Sequence, residues 1–341
     1  MSFSSCEREL CQSRRAACAD FSPSDPDSLV APDLRAKENE LNSTKGRLDV
    51  LDISVWSGAV NRFKLTACIN NDVRRCVTLL FPCIISPFSP ALLLEPRACS
   101  VIHCNVPRHC NPEMLTIAWL KMFEMLSFIQ DKGFLPAGGP LRTAHVCEAP
   151  GGFICATNHF LQTKLQNVRW TWTALSLNPW YEGSDEMVDS DAFIVKSLPN
   201  WEFGADNTGN IMNKDNILAF RRKALEVSLV DFITGDGGIG CDENPEEQER
   251  MTGRLVMYEV IAGIGVLKPG GCMIIKMFTT FTPCSFACVA FIASLFRRCY
   301  MLKPATSKAS NSEIYVVGCD FLGLPSERWY SSLLDTVSAA N

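Results

Sequence analysis

The chain has 341 residues, of which 47% are apolar and 20% charged, and a formal net charge of −5. That length can bury one large core or two modest ones, and the acidic balance excludes a polybasic nucleic-acid coat without excluding a local basic groove. The 17 cysteines include no CxxC pair and the polar start MSFSSCEREL carries no apolar leader, so reduced thiols in a nuclear or cytosolic compartment are expected.

Residues 1–48 are polar and show no sustained periodicity, which predicts a disordered arm. Residues 49–110 alternate short apolar runs with prolines and paired arginines, and are expected to form an extension packed on the core. Their longest apolar run, VTLLFPCIISPFSPALLL, is broken by Pro82, Pro87 and Pro90. It cannot supply the roughly 20 apolar helical residues of a bilayer crossing, so no membrane association is expected. The stretch CSVIHCNVPRHC gathers Cys99, His103, Cys104, His109 and Cys110. Those donors could hold zinc, but their spacing matches no standard finger and thiols are often simply buried, so no metal is expected.

A helix start follows, with Asn111 as N-cap, Pro112 as first helical residue and Gly133 as the stop. Its apolar face includes Lys121. From there strands and helices alternate: TAHVCEAP, GFICATNHFLQ, WTWTALSL, VSLVDFITGDGG, EQERMTGRLVMYEVIAGIGVL, GCMIIKMF, SFACVAFIASLFRR and EIYVV. Nearly continuous apolar strands separated by helices predict an α/β fold, a mostly parallel sheet with helices on both faces and ligands at the carboxyl ends of the strands. This unit is expected over 111–325, with a tail at 326–341.

Four signals sit at strand ends or on the preceding helix. In CEAPGGF an acid ends a strand and Pro-Gly-Gly permits either a plain turn or a close approach to a ligand. In FITGDGGIG, Asp236 ends an apolar strand, as an Asx-turn or as a functional acid. In GCMIIKMF, Lys276 interrupts a strand that should be buried on both faces, which is costly unless the amine is paired or neutral. In SNSEIYVV, Glu313 stands at the mouth of a strand. With Lys121 these form a Lys–Asp–Lys–Glu set. Burial and a second ammonium lower a lysine's pKa while carboxylates orient it, so the set predicts a lysine tuned as a general base for a weakly acidic hydroxyl.

The order Lys, CEAPGGF, Asp, Lys, Glu resembles the FtsJ-like ribose 2′-O-methyltransferases. Longer strings, among them NPEMLTIAWLKMFE, WTWTALSLNPWYE, FGADNTGNIM and KPATSKASNSEIYVV, resemble the cap-specific mRNA 2′-O-methyltransferase 2 family, from about Asn111 to Gly323. The resemblance implies a Rossmann-like fold, S-adenosyl-L-methionine as cofactor, and methylation of the second transcribed nucleotide at a capped mRNA 5′ end. It also implies catalytic Lys121, Asp236 and Lys276, with Lys276 taking the 2′-hydroxyl proton and Glu313 orienting the lysines. Gly151, Trp170 and Asp236 would contact the cofactor, although Trp170 taken by itself reads rather as plain core. By position rather than by family, Asp206 is expected near the adenine amino group and Asn178 near the ribose hydroxyls, where an acid is more usual. Arg221, Arg222, Lys223, Lys303 and Lys308 are candidate phosphate contacts, the first three being equally readable as a solvated helix face. The alternatives are another RNA target, such as the first cap nucleotide or ribosomal RNA, and a non-catalytic RNA-binding scaffold. Members of the family commonly carry a second methyltransferase-like domain, so selectivity supplied by such a domain is expected to come from elsewhere or to be missing.

Overall fold

The computed structural model describes residues 113–165, 167–182, 191–240, 247–304, 306–307 and 311–339. The expected arm and extension, the Cys99–Cys110 cluster, Asn111, Pro112 and Lys308 lie outside them. The first helix, α1 (Ile117–Asp131), begins later than expected: Thr116, in extended backbone, is the cap, and its hydroxyl accepts the Trp119 N–H at 3.0 Å. A hydroxyl immediately before the apolar stripe satisfies the end of the helix locally. Gly133 does end it. Its φ of +78° allows the Gly133 and Phe134 N–H groups to reach the Gln130 and Ile129 carbonyls, which closes the last turn.

Next come β1 (Gly139–Val146), α2 (Gly152–Lys164), β2 (Val168–Leu175), the short α3 (Ala192–Lys196) and β3 (Trp201–Glu202). They are followed by α4 (Lys214–Leu225), β4 (Val230–Gly235), α5 (Gln248–Ile264) and β5 (Leu267–Met277). The chain then forms α6 (Pro283–Leu295), β6 (Phe296–Leu302), β7 (Ile314–Phe321) and α7 (Glu327–Ala339). The strands make one sheet in the order β3-β2-β1-β4-β5-β7-β6. β1 to β5 are parallel, and β7 is antiparallel to both β5 and β6. The direction of winding reverses between β1 and β4, the crevice where such sheets take ligands.

Side chains alternate across this sheet with period two. Phe232, Ile274, Tyr315 and Val317 pack with α1 and α2, whereas Ile233, Ile275 and Val316 pack with the cluster of α4, α5, α6 and α7. Two expectations are corrected. SFACVAFIASLFRR is not all helix, because α6 ends at Leu295 and Phe296 begins β6 without a loop. The segment 326–341 is not merely a tail, because α7 buries Tyr330 and Leu334 in the second cluster. Among the described residues no helix is long and apolar enough to cross a membrane.

Candidate active site

The alternation decides which side chains meet. Lys276 lies two residues past Ile274, and Asp236 lies four past Phe232. Glu313 lies two before Tyr315. All three therefore extend the face covered by α1, which contributes Lys121, a residue only 8% exposed. Because β7 runs antiparallel, its start lies beside the end of β5, with Lys276 opposite Tyr315 and Met277 opposite Ile314. That is why an acid at a strand mouth reaches the carboxyl ends of parallel strands.

The groups form one connected chain. Lys121 Nζ is 2.5 Å from Glu313 Oε1. The Tyr315 hydroxyl stands 3.2 Å from that same oxygen and 3.1 Å from Asp236 Oδ1. Lys276 Nζ is 3.3 Å from Asp236 Oδ1 and donates to the Asp236 carbonyl at 2.7 Å. A phenol has one proton and faces two carboxylate oxygens here, so it donates to one carboxylate at a time and links both. Behind them Lys303 donates to the Asn311 and Glu313 carbonyls, each at 2.7 Å, and so ties the loop that presents Glu313.

Charge follows geometry. Burial pulls the Lys276 amine down, but nearby carboxylates, Asp236 and then Glu313 foremost, outweigh it and hold the pKa above the ordinary lysine value. This corrects the expectation of a lowered value: the second ammonium is engaged by Glu313, and the Asp236 carboxylate stands directly beside Lys276. Burial raises Asp236, with Lys276 opposing and Glu313 reinforcing. The lysine that is depressed is Lys303, to about 8, by burial and by the Lys121 charge against the pull of Glu313.

At the end of β1 the turn is tight. Gly151 has φ +119°, and a Cβ there would stand 2.4 Å from the Phe193 ring, so both backbone and packing require glycine. Glu148, which the sequence shows only as an acid at a strand end, is buried. Its Oε1 accepts the Phe153 and Ile154 N–H groups at 2.7 and 3.1 Å, while Oε2 has no hydrogen-bond partner. The first-turn N–H groups of α2, where a phosphate could otherwise bind, are thus occupied by a carboxylate. Burial raises the Glu148 pKa well above the ordinary carboxylate value, with the Asp236 charge reinforcing it and the two N–H groups opposing.

Other expected residues lie elsewhere or are engaged otherwise. Trp170 sits in the first half of β2, opposite Leu141 at the start of β1, and its indole N–H donates to Thr143 Oγ1 at 2.9 Å. It is not brought to the strand ends. Asn178 is buried, with Nδ2 donating to the Asn207 carbonyl and Oδ1 accepting the Trp180 N–H. Asp206 is exposed and accepts from Thr208 N, Thr208 Oγ1 and Asn213 Nδ2, hydrogen bonds that hold its pKa low. Arg221 bonds the Gly265 carbonyl and Glu327 and lies over the Tyr330 ring, so it ties α4 to α7. Lys223 donates to the Trp201 carbonyl, and Arg222 is exposed. Tyr315 and Glu259 were missed by sequence reasoning. An alternating pattern makes Tyr315 read as core, although its spacing of two from Glu313 on one face was available.

The strand order and the turn after β1 define a Rossmann-like methyltransferase fold, with the linked charges at its carboxyl edge. The chain belongs to the FtsJ-like methyltransferase family, whose model matches residues 116–321. It is 35% identical over 296 residues to the cap-specific mRNA (nucleoside-2′-O-)-methyltransferase 2 of Danio rerio, covering 85% of this chain and 35% of that protein. It is 39% identical over 211 residues to the protein of the same name from Drosophila melanogaster, covering 60% of this chain and 30% of that one. The chain therefore spans about a third of the length of these relatives. Among solved structures, a ribosomal RNA methyltransferase from Plasmodium falciparum aligns with 60% of this chain and 97% of its own, at 19% identity and a TM-score of 0.40.

Proposed function

We propose that the chain methylates the ribose 2′-hydroxyl of the second transcribed nucleotide at a capped mRNA 5′ end, with S-adenosyl-L-methionine as donor. The observation that carries this reading is the continuous Lys121–Glu313–Tyr315–Asp236–Lys276 chain at the carboxyl ends of β4 and β5. The cap assignment rests on likeness to the two relatives just described, whose names state cap-specific mRNA 2′-O-methylation, and the choice of the second nucleotide rests on the resemblance to that family. A capped substrate implies work in the nucleus, the cytoplasm or both.

When bound, the cofactor supplies a methyl group already activated by a sulfonium. The chain's own residues must then place a hydroxyl and take its proton. Lys276 is the base: its Nζ is anchored by the Asp236 carbonyl and carboxylate, which aims the nitrogen lone pair once the ammonium loses its proton. The same carboxylates hold that proton at rest, so transfer should speed up as pH rises. Lys121 is ion-paired with Glu313 and supplies positive field to the developing ribose oxyanion. Fixing the groups in one hydrogen-bonded array lowers the entropic cost of alignment. Gly151 lets the backbone approach the cofactor, with Asp236 at the neighbouring strand end. Asp206 and Asn178 hold the loops beyond β3 and β2 on the adenosine side, and Trp170 acts through the packing of β2.

The test is methyl transfer from labelled cofactor to short RNAs with and without a cap, followed by nuclease mapping. Label on the second-nucleotide 2′-oxygen of capped RNA is expected. Label on the first nucleotide or on uncapped RNA would replace the substrate assignment. Binding of RNA without any transfer would leave a scaffold instead of an enzyme.

A further inference from the structure

Glu259 lies on α5, across the sheet from Lys121, and its side chain is fully buried. Its Oε1 accepts the Gly237 N–H at 2.7 Å, and its Oε2 has no hydrogen-bond partner. The sequence Gly235-Asp236-Gly237 makes room for it. A Cβ on Gly235 would stand 2.9 Å from the Glu259 carboxyl carbon, and one on Gly237 would stand 2.6 Å from Oε1. Glycines flank Asp236 because an acid from the opposite face occupies the space where their side chains would be. The turn it supports is the one whose carbonyl and carboxylate hold Lys276.

We infer that Glu259 is a positioning residue for the Asp236–Lys276 pair, supporting the Asp236 turn from beneath through Gly237 and working as a neutral carboxylic acid. This deepens the proposed function and rests on it. A buried carboxylate whose donors are one N–H and the weak Cys147 thiol is poorly compensated as an anion. The groups facing it are the Cys147 thiol after β1, Asp236 after β4, Lys276 on β5 and Cys288 on α6. Burial is the main cause that raises its pKa to about 8, against the Gly237 N–H and Lys276. Ionised, it would add another carboxylate to those that hold the Lys276 proton. Neutral, it still accepts from Gly237 and spares Lys276 that charge.

The sign is set by linkage. An acid whose folded pKa is raised is protonated in the fold and ionised when unfolded, so its contribution falls as pH climbs from the ordinary glutamate value through about 8. Glu259→Gln keeps an acceptor for Gly237 and removes the titration, while Glu259→Leu removes both. Thermal unfolding of the full chain is measured from pH 5.5 to 9. The melting temperature of the Gln variant relative to the parent should rise by a few degrees over that range. Single-turnover transfer by the Gln variant, relative to the parent, should rise about three- to tenfold between pH 7 and 9. Glu259→Leu should transfer about tenfold more slowly than Glu259→Gln, with cofactor affinity within a few-fold. Ratios flat with pH, or a folded Leu variant as fast as the Gln variant, would overturn the inference. If the Leu variant does not fold, the two Gln comparisons decide. A parent that methylates no RNA defeats the functional reading, and the melting comparison still decides whether Glu259 is the neutral support described.

Discussion

Two sets of polar side chains sit after strands of this sheet, and they are engaged in different ways. At the carboxyl ends of β4 and β5 and the adjoining start of β7, Asp236, Lys276 and Glu313 meet other side chains: a lysine, a phenol and one another. Beyond β2 and β3, Asn178 and Asp206 meet mostly their own loops, with Asn178 bonding a carbonyl and an N–H and Asp206 bonding Thr208 and Asn213. A polar residue after a strand is therefore ambiguous until its partners are known. Main-chain partners mark loop architecture, and charged side-chain partners in a buried place mark chemistry.

The distinction can be broken by mutation. Glu313→Gln keeps shape and removes the charge that holds Lys121, so single-turnover transfer should fall about 10- to 100-fold. A fall of less than twofold would return Glu313 to the role of a solvated strand entry. Asn178→Ala removes a buried side chain and its two hydrogen bonds, to the Asn207 carbonyl and from the Trp180 N–H, and should destabilise the fold by about 1–3 kcal/mol, read as a lower melting temperature. Unchanged melting with weakened cofactor binding would make Asn178 a ligand contact instead of a loop tie. Tyr315→Phe removes the hydroxyl shared by Asp236 and Glu313 while keeping the buried ring. Lysines still hold both carboxylates, so a loss of about three- to tenfold is expected in single-turnover transfer. A loss of a thousandfold would make the phenol itself a proton carrier.

The same comparison shows what the sequence could reveal. The order of strands and helices was legible because buried strands read as apolar runs and the helices repeat at 3.6 residues. Lys276 stood out because a lysine in such a run demands a partner. What could not be read was the antiparallel entry of β7, which sets Glu313 beside Lys276 instead of at the far edge of the sheet. The sequence also hid the net effect of the neighbouring carboxylates on Lys276, since a pKa depends on distances that spacing along a chain does not give. Glu259 was invisible because it comes from a helix on the other face, 23 residues after Asp236 in number and one sheet thickness away in space. The glycines around Asp236 were its only trace. Trp170 differs again: the family resemblance implied a cofactor contact while the residue by itself read as core, and its register places it in the amino-terminal half of β2.

The central claim is that Lys276 removes a proton and does not hold the cofactor. Lys276→Met keeps the length and apolar stem of the side chain and removes the amine, so the pocket should remain packed. S-adenosylmethionine affinity and single-turnover methyl transfer to capped RNA, measured on the same preparation, separate the two roles. Affinity should stay within a few-fold of the parent while transfer falls by about two to four orders of magnitude. Near-parental transfer by the Met variant, with cofactor bound, would contradict the account.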